Sequence, residues 1–200
     1  MADKSTDKRA DKNPDNSKSS SFQIRLAHQR DVPHISHILV TSFYHQCPPL
    51  LYPLAVWSIS LDLGLRLLDY SPYYACLVAT SILSSEAIAT LEVNLKDIPT
   101  LKSGKSDYWF NWHTTEQPYI SNLAVHPHWR GQGIAFKLLT TVESKVRSWG
   151  FKYVYLHVLD SNNSALKLYQ LSGYQVYKID PEFSFNPFTS GKRLLMRKAL

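Results

Sequence analysis

Cysteine is scarce in this chain of 200 residues, and the two that occur, Cys47 and Cys76, are 29 positions apart with no C-x-x-C spacing. This pattern excludes a disulfide framework and a cysteine zinc site, and it favours a reducing compartment. We expect both cysteines to be ordinary buried thiols.

A long apolar run without charges is also lacking. Residues 50–74 form the most apolar stretch, but Asp62, Arg66 and Asp69 interrupt it, whereas a membrane-spanning helix needs about 20 residues with few charges. The first 21 residues hold four aspartates and no apolar segment, which argues against a secretory signal and a typical transit peptide. The sequence therefore predicts a soluble protein without a membrane partner, in the cytoplasm or, if a plastid genome encodes it, in the plastid stroma.

Negative charge is in the minority, since 16 Asp and Glu stand against 22 Lys and Arg, a net charge of +6 with neutral histidine. The excess indicates an anionic partner: a nucleic acid, an anionic membrane or a phosphate-bearing small molecule. With 44% apolar and 12% aromatic residues the chain has enough apolar surface for a core. We expect a disordered tail at 1–21, where apolar residues are lacking, and one domain at 22–200.

The spacing of apolar residues alternates between a period of two and a period of about 3.6, which predicts an α/β chain of strands and helices. Strands are predicted at 22–26, 73–80, 87–95, 118–125, 153–159, 174–179 and 193–199. Helices are predicted after Asp31 and Pro33, at 54–69, between Gly133 and Gly150, and at 164–171. Two loops, 96–116 and 180–191, separate strands.

A glycine-containing loop, Arg130-Gly131-Gln132-Gly133-Ile134-Ala135, joins a predicted strand to a predicted helix. Backbone amides and the positive end of the helix dipole converge there, so the loop is a candidate anion site. A tight strand-to-helix turn would need the same glycines, and the six residues alone leave both interpretations open. The G-K-[ST] of a nucleotide P-loop and the third glycine of a dinucleotide fingerprint are both missing.

Two motifs occur in order around this loop: Arg130-x-x-Gly133-x-Ala135, and then Asn162-x-x-Ala165-x-x-x-Tyr169 followed by Gly173-Tyr174. Over residues 119–174 they resemble the acetyl-CoA motifs of the GCN5-related N-acetyltransferase (GNAT) family, and the stretch YISNLAVHPxxRxQGIA is similar to plastid and cyanobacterial members. The resemblance implies an α/β (α+β) fold with a mixed, mostly antiparallel central sheet and flanking helices. The fourth and fifth strands of such a sheet splay apart to admit acetyl-CoA.

The resemblance also implies how acetyl-CoA is held, without a metal. The backbone of Leu123, Ala124 and Val125 would hold the pantetheine arm, with a backbone N–H near Val125 as oxyanion donor. Asn162 would bond the pantetheine amides. The pyrophosphate would lie on the loop amides and the arginine charge; these residues are Arg130, Gly131, Gln132, Gly133, Ile134 and Ala135. Tyr169 completes the predicted cofactor-binding set.

Acetylation of an amine needs a base that deprotonates the ammonium. The segments Tyr119-Ile120-x-x-Leu123 and Leu156-His157-Val158 are similar to protein N-terminal acetyltransferases, in which a Tyr and a His on the splayed strands deprotonate the substrate amine through water. Strand alternation puts His157 on the less apolar face. Glu92 is the competing base, and alternation puts it on one face with Ile88, Thr90 and Asn94.

An acid must protonate the departing thiolate, and we assign this role to Tyr169. The position falls in the Asn162-to-Tyr169 motif spacing, and a phenol, with a reference pKa of about 10, keeps its proton at neutral pH. A tyrosine that only packs on a helix face is the alternative. The predicted catalytic residues are therefore Tyr119, His157 and Tyr169.

Several other clusters are weaker candidates. His34 and His37 share a helix face, but with no cysteine nearby and no HExxH we expect no metal site. We expect His126 and His128 to shape the loop before Arg130. The aromatic residues Tyr108, Trp109, Phe110 and Trp112 suggest a lip over the acceptor site or a dimer contact, and the composition of loop 180–191 suggests an apolar entrance.

These observations predict an acetyltransferase that transfers acetyl from acetyl-CoA directly to a primary amine. The acceptor would be an amine-bearing protein or peptide, at its N-terminal α-amine or a lysine ε-amine; a small arylalkylamine or polyamine stays open. The rivals are a non-catalytic CoA-binding domain and a nucleic-acid module. We expect no nucleic-acid partner, and either a monomer or a homodimer.

Overall fold

The computed structural model describes residues 21–43, 48–100, 113–180 and 192–200. The predictions for residues 1–20 of the tail, for Cys47, for the aromatic residues at 108–112 and for residues 181–191 lie outside this part of the chain.

One sheet joins seven strands within the described residues. They are β1 (Phe22–Leu26), β2 (Ala75–Ser81), β3 (Ala87–Thr100), β4 (His113–Val125), β5 (Tyr153–Leu159), β6 (Gln175–Asp180) and β7 (Arg193–Ala199). The strand order is β1-β2-β3-β4-β5-β7-β6. Only β4 and β5 are parallel neighbours, and the other pairs of this described sheet are antiparallel. The predicted mixed, mostly antiparallel sheet is confirmed.

Four α-helices flank the sheet in the described part of the chain. They are α1 (Val32–Phe43), α2 (Tyr52–Leu68), α3 (Ile134–Ser148) and α4 (Asn163–Leu171). α1 begins at Val32, directly after Asp31 as predicted. The Asp31 carboxylate accepts two hydrogen bonds from the Arg25 guanidinium, at 2.6 and 2.8 Å, and one from the backbone N–H of His28, and these bonds fix the short turn that precedes α1. Gly150, at φ +86°, ends α3. No helix in the described ranges is long and apolar enough to cross a bilayer.

Strand alternation divides the apolar side chains between the two faces of the sheet. In β2, Leu77 packs into a core formed with α3 and α4, whereas Val78 packs against α1 and α2. The spacing of apolar residues predicts a core stripe on α3 of Leu138, Leu139, Val142, Val146 and Trp149. The first four are fully buried in the first of these cores, and Trp149 is partly buried against it. In β5, Val154, Leu156 and Val158 also belong to that core, while Tyr155 packs on the other face with Tyr119.

The hairpin of β3 and β4 is longer than predicted. The sequence places a loop at 96–116, but β3 continues to Thr100 and β4 begins at His113, with Lys96 opposite Gln117. Apolar and polar residues do not alternate in this extension. The sequence therefore lacks the period of two by which a strand is predicted.

A β-bulge changes the predicted face of Ile88. Thr80 pairs with Ala87 and Ala79 with Ala89, which leaves Ile88 as the extra residue. Ile88 therefore packs in the α3 core, and the prediction that it shares a face with Glu92 is wrong. Alternation assumes an uninterrupted strand, and the bulge interrupts it.

The two parallel strands separate after a short contact. Within the described residues β4 and β5 pair at Tyr119 with Tyr155 and at Ile120 with Leu156. Beyond Ile120, β4 keeps its pairing with β3 as far as Val125. The predicted splay is confirmed, and it exposes an edge of β4 toward a cleft.

Candidate active site

A cleft of about 600 Å³ opens where β4 and β5 diverge. Its walls come from both strands, from α1, α2 and α4, and from the start of β7. The lining residues include Leu39, Phe43, Ile59, Asp62, Arg66, Tyr119, Ser121, Asn122, Leu123, His157, Leu159, Asn162, Tyr169 and Arg193. The splay therefore gathers side chains from distant parts of the sequence around one opening.

Tyr119 and His157 meet at the point where the strands part. The Tyr119 hydroxyl and His157 Nδ1 are 2.9 Å apart, within hydrogen-bond distance. Tyr119 is buried and His157 half-buried, and the Lys96 ammonium lies 4.6 Å from the centre of the Tyr119 ring. When Nδ1–H donates to the tyrosine oxygen, Nε2 carries the lone pair that accepts a proton.

Tyr169 reaches the cleft from α4 and is mostly buried. Its ring meets that of Tyr174 edge to face, with centroids 5.8 Å apart. Burial is the main cause that raises the pKa of Tyr169 to about 12. A phenol with this pKa is a weaker acid than a thiol with a pKa of about 8.5, so a full proton transfer to a free thiolate is uphill. Of the predicted role as the acid that protonates the thiolate, this leaves Tyr169 the donation of a hydrogen bond to the departing sulfur.

The loop before α3 has the backbone conformation of an anion cradle. Gly131 and Gly133 lie at φ +78° and +77°, and a Cβ on either would meet nothing within 4 Å. The conformation, and not crowding, therefore demands glycine. No side chain caps α3 at Gly133, and α3, which lies wholly within the described residues, has no acidic residue in its first turn. Its first amides can face a phosphate.

Arg130 and Asn162 have structural bonds in addition to their predicted roles. Arg130 Nε donates to the Val125 carbonyl at 3.0 Å, which ties the loop to the end of β4. Asn162 caps α4, because its Oδ1 accepts from the Ala165 backbone N–H at 3.1 Å. The Asn162 amide nitrogen is the atom left to meet a ligand along the cleft.

Glu92 lies behind the wall of the cleft and does not line it. Its carboxylate is 2% exposed and accepts hydrogen bonds from Asn122 Nδ2 at 2.7 Å, from the Tyr74 hydroxyl at 2.9 Å and from Arg66 at 3.4 Å. Three donors stabilise the buried charge. Burial and this charge together raise the pKa of the Tyr74 hydroxyl.

Asn122 occupies a bulge in β4 that the sequence did not indicate. Glu92 pairs with Ser121 and Thr90 with Ala124, so β4 has one residue more than β3 between these pairs. Asn122 sits there at φ +53°, which costs about 1–2 kcal/mol for a residue with a Cβ. Its hydrogen bond to Glu92 holds this conformation. Because 30 positions separate Asn122 from Glu92, no local spacing could have revealed the pair.

The remaining predicted residues lie along the same edge or outside the cleft. Leu123 lines the cleft, whereas Ala124 packs in the α1 and α2 core, so that its backbone is the part that faces β5. The loop at 130–135 follows the end of β4. His126 and His128 pack ring to ring at 5.2 Å, and burial, with His128, lowers the pKa of His126.

Cys76 is a buried free thiol, as predicted, and burial raises its pKa to about 12. The described residues hold no group of three or more His, Cys, Asp or Glu side chains placed to bind a metal.

A mixed sheet with splayed parallel strands beside a glycine-containing helix start defines the class of N-acetyltransferase folds. Arabidopsis thaliana NAA60, solved with a bisubstrate analogue, shares this fold with a TM-score of 0.62 and 19% identity, over 90% of this chain and 99% of that one. The PaiA N-acetyltransferase of Thermoplasma acidophilum, solved with coenzyme A, also has a TM-score of 0.62, with 15% identity and coverage of 90% and 99%.

Sequence comparison points to one family. Residues 87–174 match the model of the acetyltransferase (GNAT) family, which supports membership of this chain in that family. The chloroplastic GCN5-related N-acetyltransferase 10 of Arabidopsis thaliana is 30% identical over 126 residues, which are 62% of this chain and 49% of the relative. The chain spans about half the length, or less, of the chloroplastic relatives that it matches.

Proposed function

We propose that residues 22–200 form an N-acetyltransferase domain that transfers acetyl from acetyl-CoA directly to a primary amine of a protein or peptide. The proposal rests on one observation above all, the hydrogen-bonded pair of Tyr119 and His157 at the opening between β4 and β5. The acceptor would be an N-terminal α-amine or a lysine ε-amine.

The residues of this chain fit acetyl-CoA as the acetyl donor. An amide-bearing arm laid along the edge of β4 at 121–125 would satisfy backbone groups that β5 no longer pairs. The cradle at 131–135 has open space and positive φ at both glycines, and its position beyond the end of β4 suits the pyrophosphate. Asn162 lies across the cleft, at the N-cap of α4, where its amide nitrogen can bond the arm.

The nitrogen must lose two protons, one to a base before attack and one as the amide forms, while a C–N bond replaces the C–S bond. His157 Nε2 takes a proton from the bound ammonium through water, and Tyr119 orients the ring through Nδ1. The neutral amine forms the new C–N bond at the thioester carbonyl as the C–S bond breaks, and an N–H of β4 near Val125 stabilises the oxyanion. Tyr169 donates a hydrogen bond to the departing sulfur. The second proton that leaves the nitrogen goes to this sulfur and gives the CoA thiol.

A small cationic amine is the second candidate, and Asp62 supports it, because its carboxylate is 66% exposed at the cleft. Arg66 lies 3.0 Å from this carboxylate, however, and offsets part of its charge, while it also lies 3.4 Å from the buried Glu92 carboxylate. The apolar side chains of Leu39 and Phe43, which line the same cleft, favour a peptide end over a polyamine.

A peptide-end library incubated with acetyl-CoA and analysed by mass spectrometry tests the proposal. The full chain should acetylate free peptide α-amines or lysines and release CoA thiol in equal amount, and His157→Ala should reduce both. Spermidine and an arylalkylamine are tested as small-amine acceptors in the same assay. Peptides with a blocked N-terminus distinguish acetylation of the α-amine from acetylation of a lysine ε-amine. Acetyl-CoA binding without CoA release on any acceptor would instead indicate a non-catalytic domain.

The chloroplastic names of the relatives support the plastid stroma as the compartment. Fluorescent fusion of the whole protein, imaged in cells of its source, would test this location against the cytoplasm.

A further inference from the structure

Helix α2 carries an apolar surface that the rest of the described chain leaves uncovered. Within α2, Leu63 is the fully buried side chain. Five other large apolar side chains are between 51% and 63% exposed, and we name them the α2 stripe: Leu54, Trp57, Leu61, Leu65 and Leu68. Scattered exposed leucines are ordinary, but a contiguous row of this size marks an interaction surface.

The stripe faces away from both the core and the cleft. At about 100° per residue its members fall within an arc of about 80° and extend over about 21 Å of helix. Leu61, at the centre, points about 160° away from Leu63. Asp62 and Arg66, the two charged residues of α2, lie between these directions and pair with each other at 3.0 Å, so the stripe itself is uncharged.

The spacing of the stripe is symmetric about Leu61. Successive members are three, four, four and three residues apart. Two copies of α2 that meet antiparallel on a two-fold axis at Leu61 would place Leu61 on Leu61, Leu54 on Leu68 and Trp57 on Leu65. A two-fold interface must be self-complementary in this way, whereas a lipid surface or an unrelated protein imposes no such symmetry.

The area of the stripe suits the same arrangement. Five large side chains exposed by half or more bury on the order of 500 Å² per copy, about 1,000 Å² in total, which meets the minimum for a specific interface.

We propose that this chain forms a homodimer in which two α2 stripes pack antiparallel with Leu61 on the two-fold axis. Ile59, Asp62 and Arg66 line the cleft from the same helix, so the dimer holds one wall of the acceptor end in place. The inference does not depend on the acceptor, since it concerns a surface outside the cleft.

Sedimentation velocity of the full chain over a range of concentrations measures the oligomeric state. The wild type should sediment as a dimer, and Leu61→Glu, which sets two carboxylates against each other on the axis, should halve the mass. Leu83→Glu is the matched control, because Leu83 is 95% exposed in the turn after β2, and this variant should stay dimeric. Circular dichroism should be unchanged in both, since both side chains project from the surface.

A wild type that is monomeric at every concentration, or a Leu61→Glu variant that stays dimeric, would overturn the proposal. A monomer that floats with phosphatidylcholine vesicles and loses this binding in Leu61→Glu would also overturn it, and would assign the stripe to a lipid surface.

Cysteine cross-linking tests the register, in a Cys47→Ser background where Cys76 is buried. Leu61→Cys should form a disulfide dimer under mild oxidation. Leu54→Cys and Leu68→Cys should cross-link when mixed, and neither should cross-link alone, because antiparallel packing keeps like positions about 20 Å apart. Self-linking of Leu54→Cys would contradict the antiparallel register.

Discussion

The hydrogen bond between Tyr119 and His157 makes a quantitative prediction about the acetyl-transfer step. A general base contributes about 10²–10⁴-fold, so His157→Ala should lower kcat/KM by that factor. Tyr119→Phe removes the 2.9 Å bond to Nδ1 and leaves the ring, so kcat/KM should fall by the contribution of one hydrogen bond, about 1–1.5 kcal/mol, or about 5- to 13-fold.

The double variant decides whether the two residues act as a unit. If Tyr119 acts by orienting the imidazole, its loss costs nothing once the imidazole is gone, and the double variant should match His157→Ala. The coupling energy should then equal the single effect of Tyr119→Phe.

Steady-state kinetics with the peptide acceptor varied at saturating acetyl-CoA, measured across pH, is the assay. The rate of the wild type should fall at acidic pH as the base becomes protonated, and this limb should vanish in His157→Ala. Tyr153→Phe, on the same strand but outside the cleft, and His34→Ala, half-exposed on α1, are matched controls. Wild-type rates for His157→Ala, or strictly additive losses in the double variant, would refute the assignment.

Four further predictions follow from single residues. Tyr169→Phe should lower kcat while acetyl-CoA affinity, measured by calorimetry, stays nearly intact, because the lost hydrogen bond forms to the departing sulfur. A loss of affinity alone would mean that Tyr169 is a packing residue without a role in the reaction. Glu92→Gln should lower Tm and raise KM for acetyl-CoA, because the neutral amide stabilises the β4 bulge less well. The acidic limb of the pH profile should remain in this variant, and its disappearance would make Glu92 the base. Gly131→Ala, at φ +78°, should cost about 1–2 kcal/mol, divided between folding stability and acetyl-CoA binding. The control is Gly64→Ala in α2, where an added Cβ would meet only ordinary contact at 3.6 Å and should stabilise the fold by about 0.5–1 kcal/mol. Equal effects of the two substitutions would contradict the requirement for a positive φ at Gly131. Cys76, whose pKa burial raises to about 12, should resist iodoacetamide at pH 8 in the native state, because the thiolate fraction rises only as pH approaches that value; rapid native alkylation, read by mass spectrometry, would disprove its burial.

Local patterns predicted the elements well where one face of an element is buried. The α3 stripe from Leu138 to Val146, the alternation along β5 and the stop at Gly150 were all predicted correctly, because each depends on residues within a few positions of one another. The prediction missed the outer part of the hairpin and the face of Ile88. Polar pairing in the first case and a bulge in the second leave no period for the sequence to reveal.

The candidate site divides in the same way. The glycines at 131 and 133 could be identified from the sequence, because a positive φ depends on the residue type at that position and not on distant residues. Arg130 and Asn162 could be identified from their motifs, but their bonds to Val125 and Ala165 came from the structure. Asn122, Arg66 and Tyr74 around Glu92 carried no sequence signal at all.

Neighbours along the chain are enough to predict the order of strands and helices, the glycine cradle and the kinds of side chain available for acid-base chemistry. Which of these side chains meet depends on the tertiary structure. Tyr119 and His157 are 38 positions apart, and they touch because parallel pairing of β4 and β5 sets their register and then ends after Ile120. That register and its end depend on how strands from distant parts of the chain pack, and this packing brings the two side chains together at the mouth of the cleft.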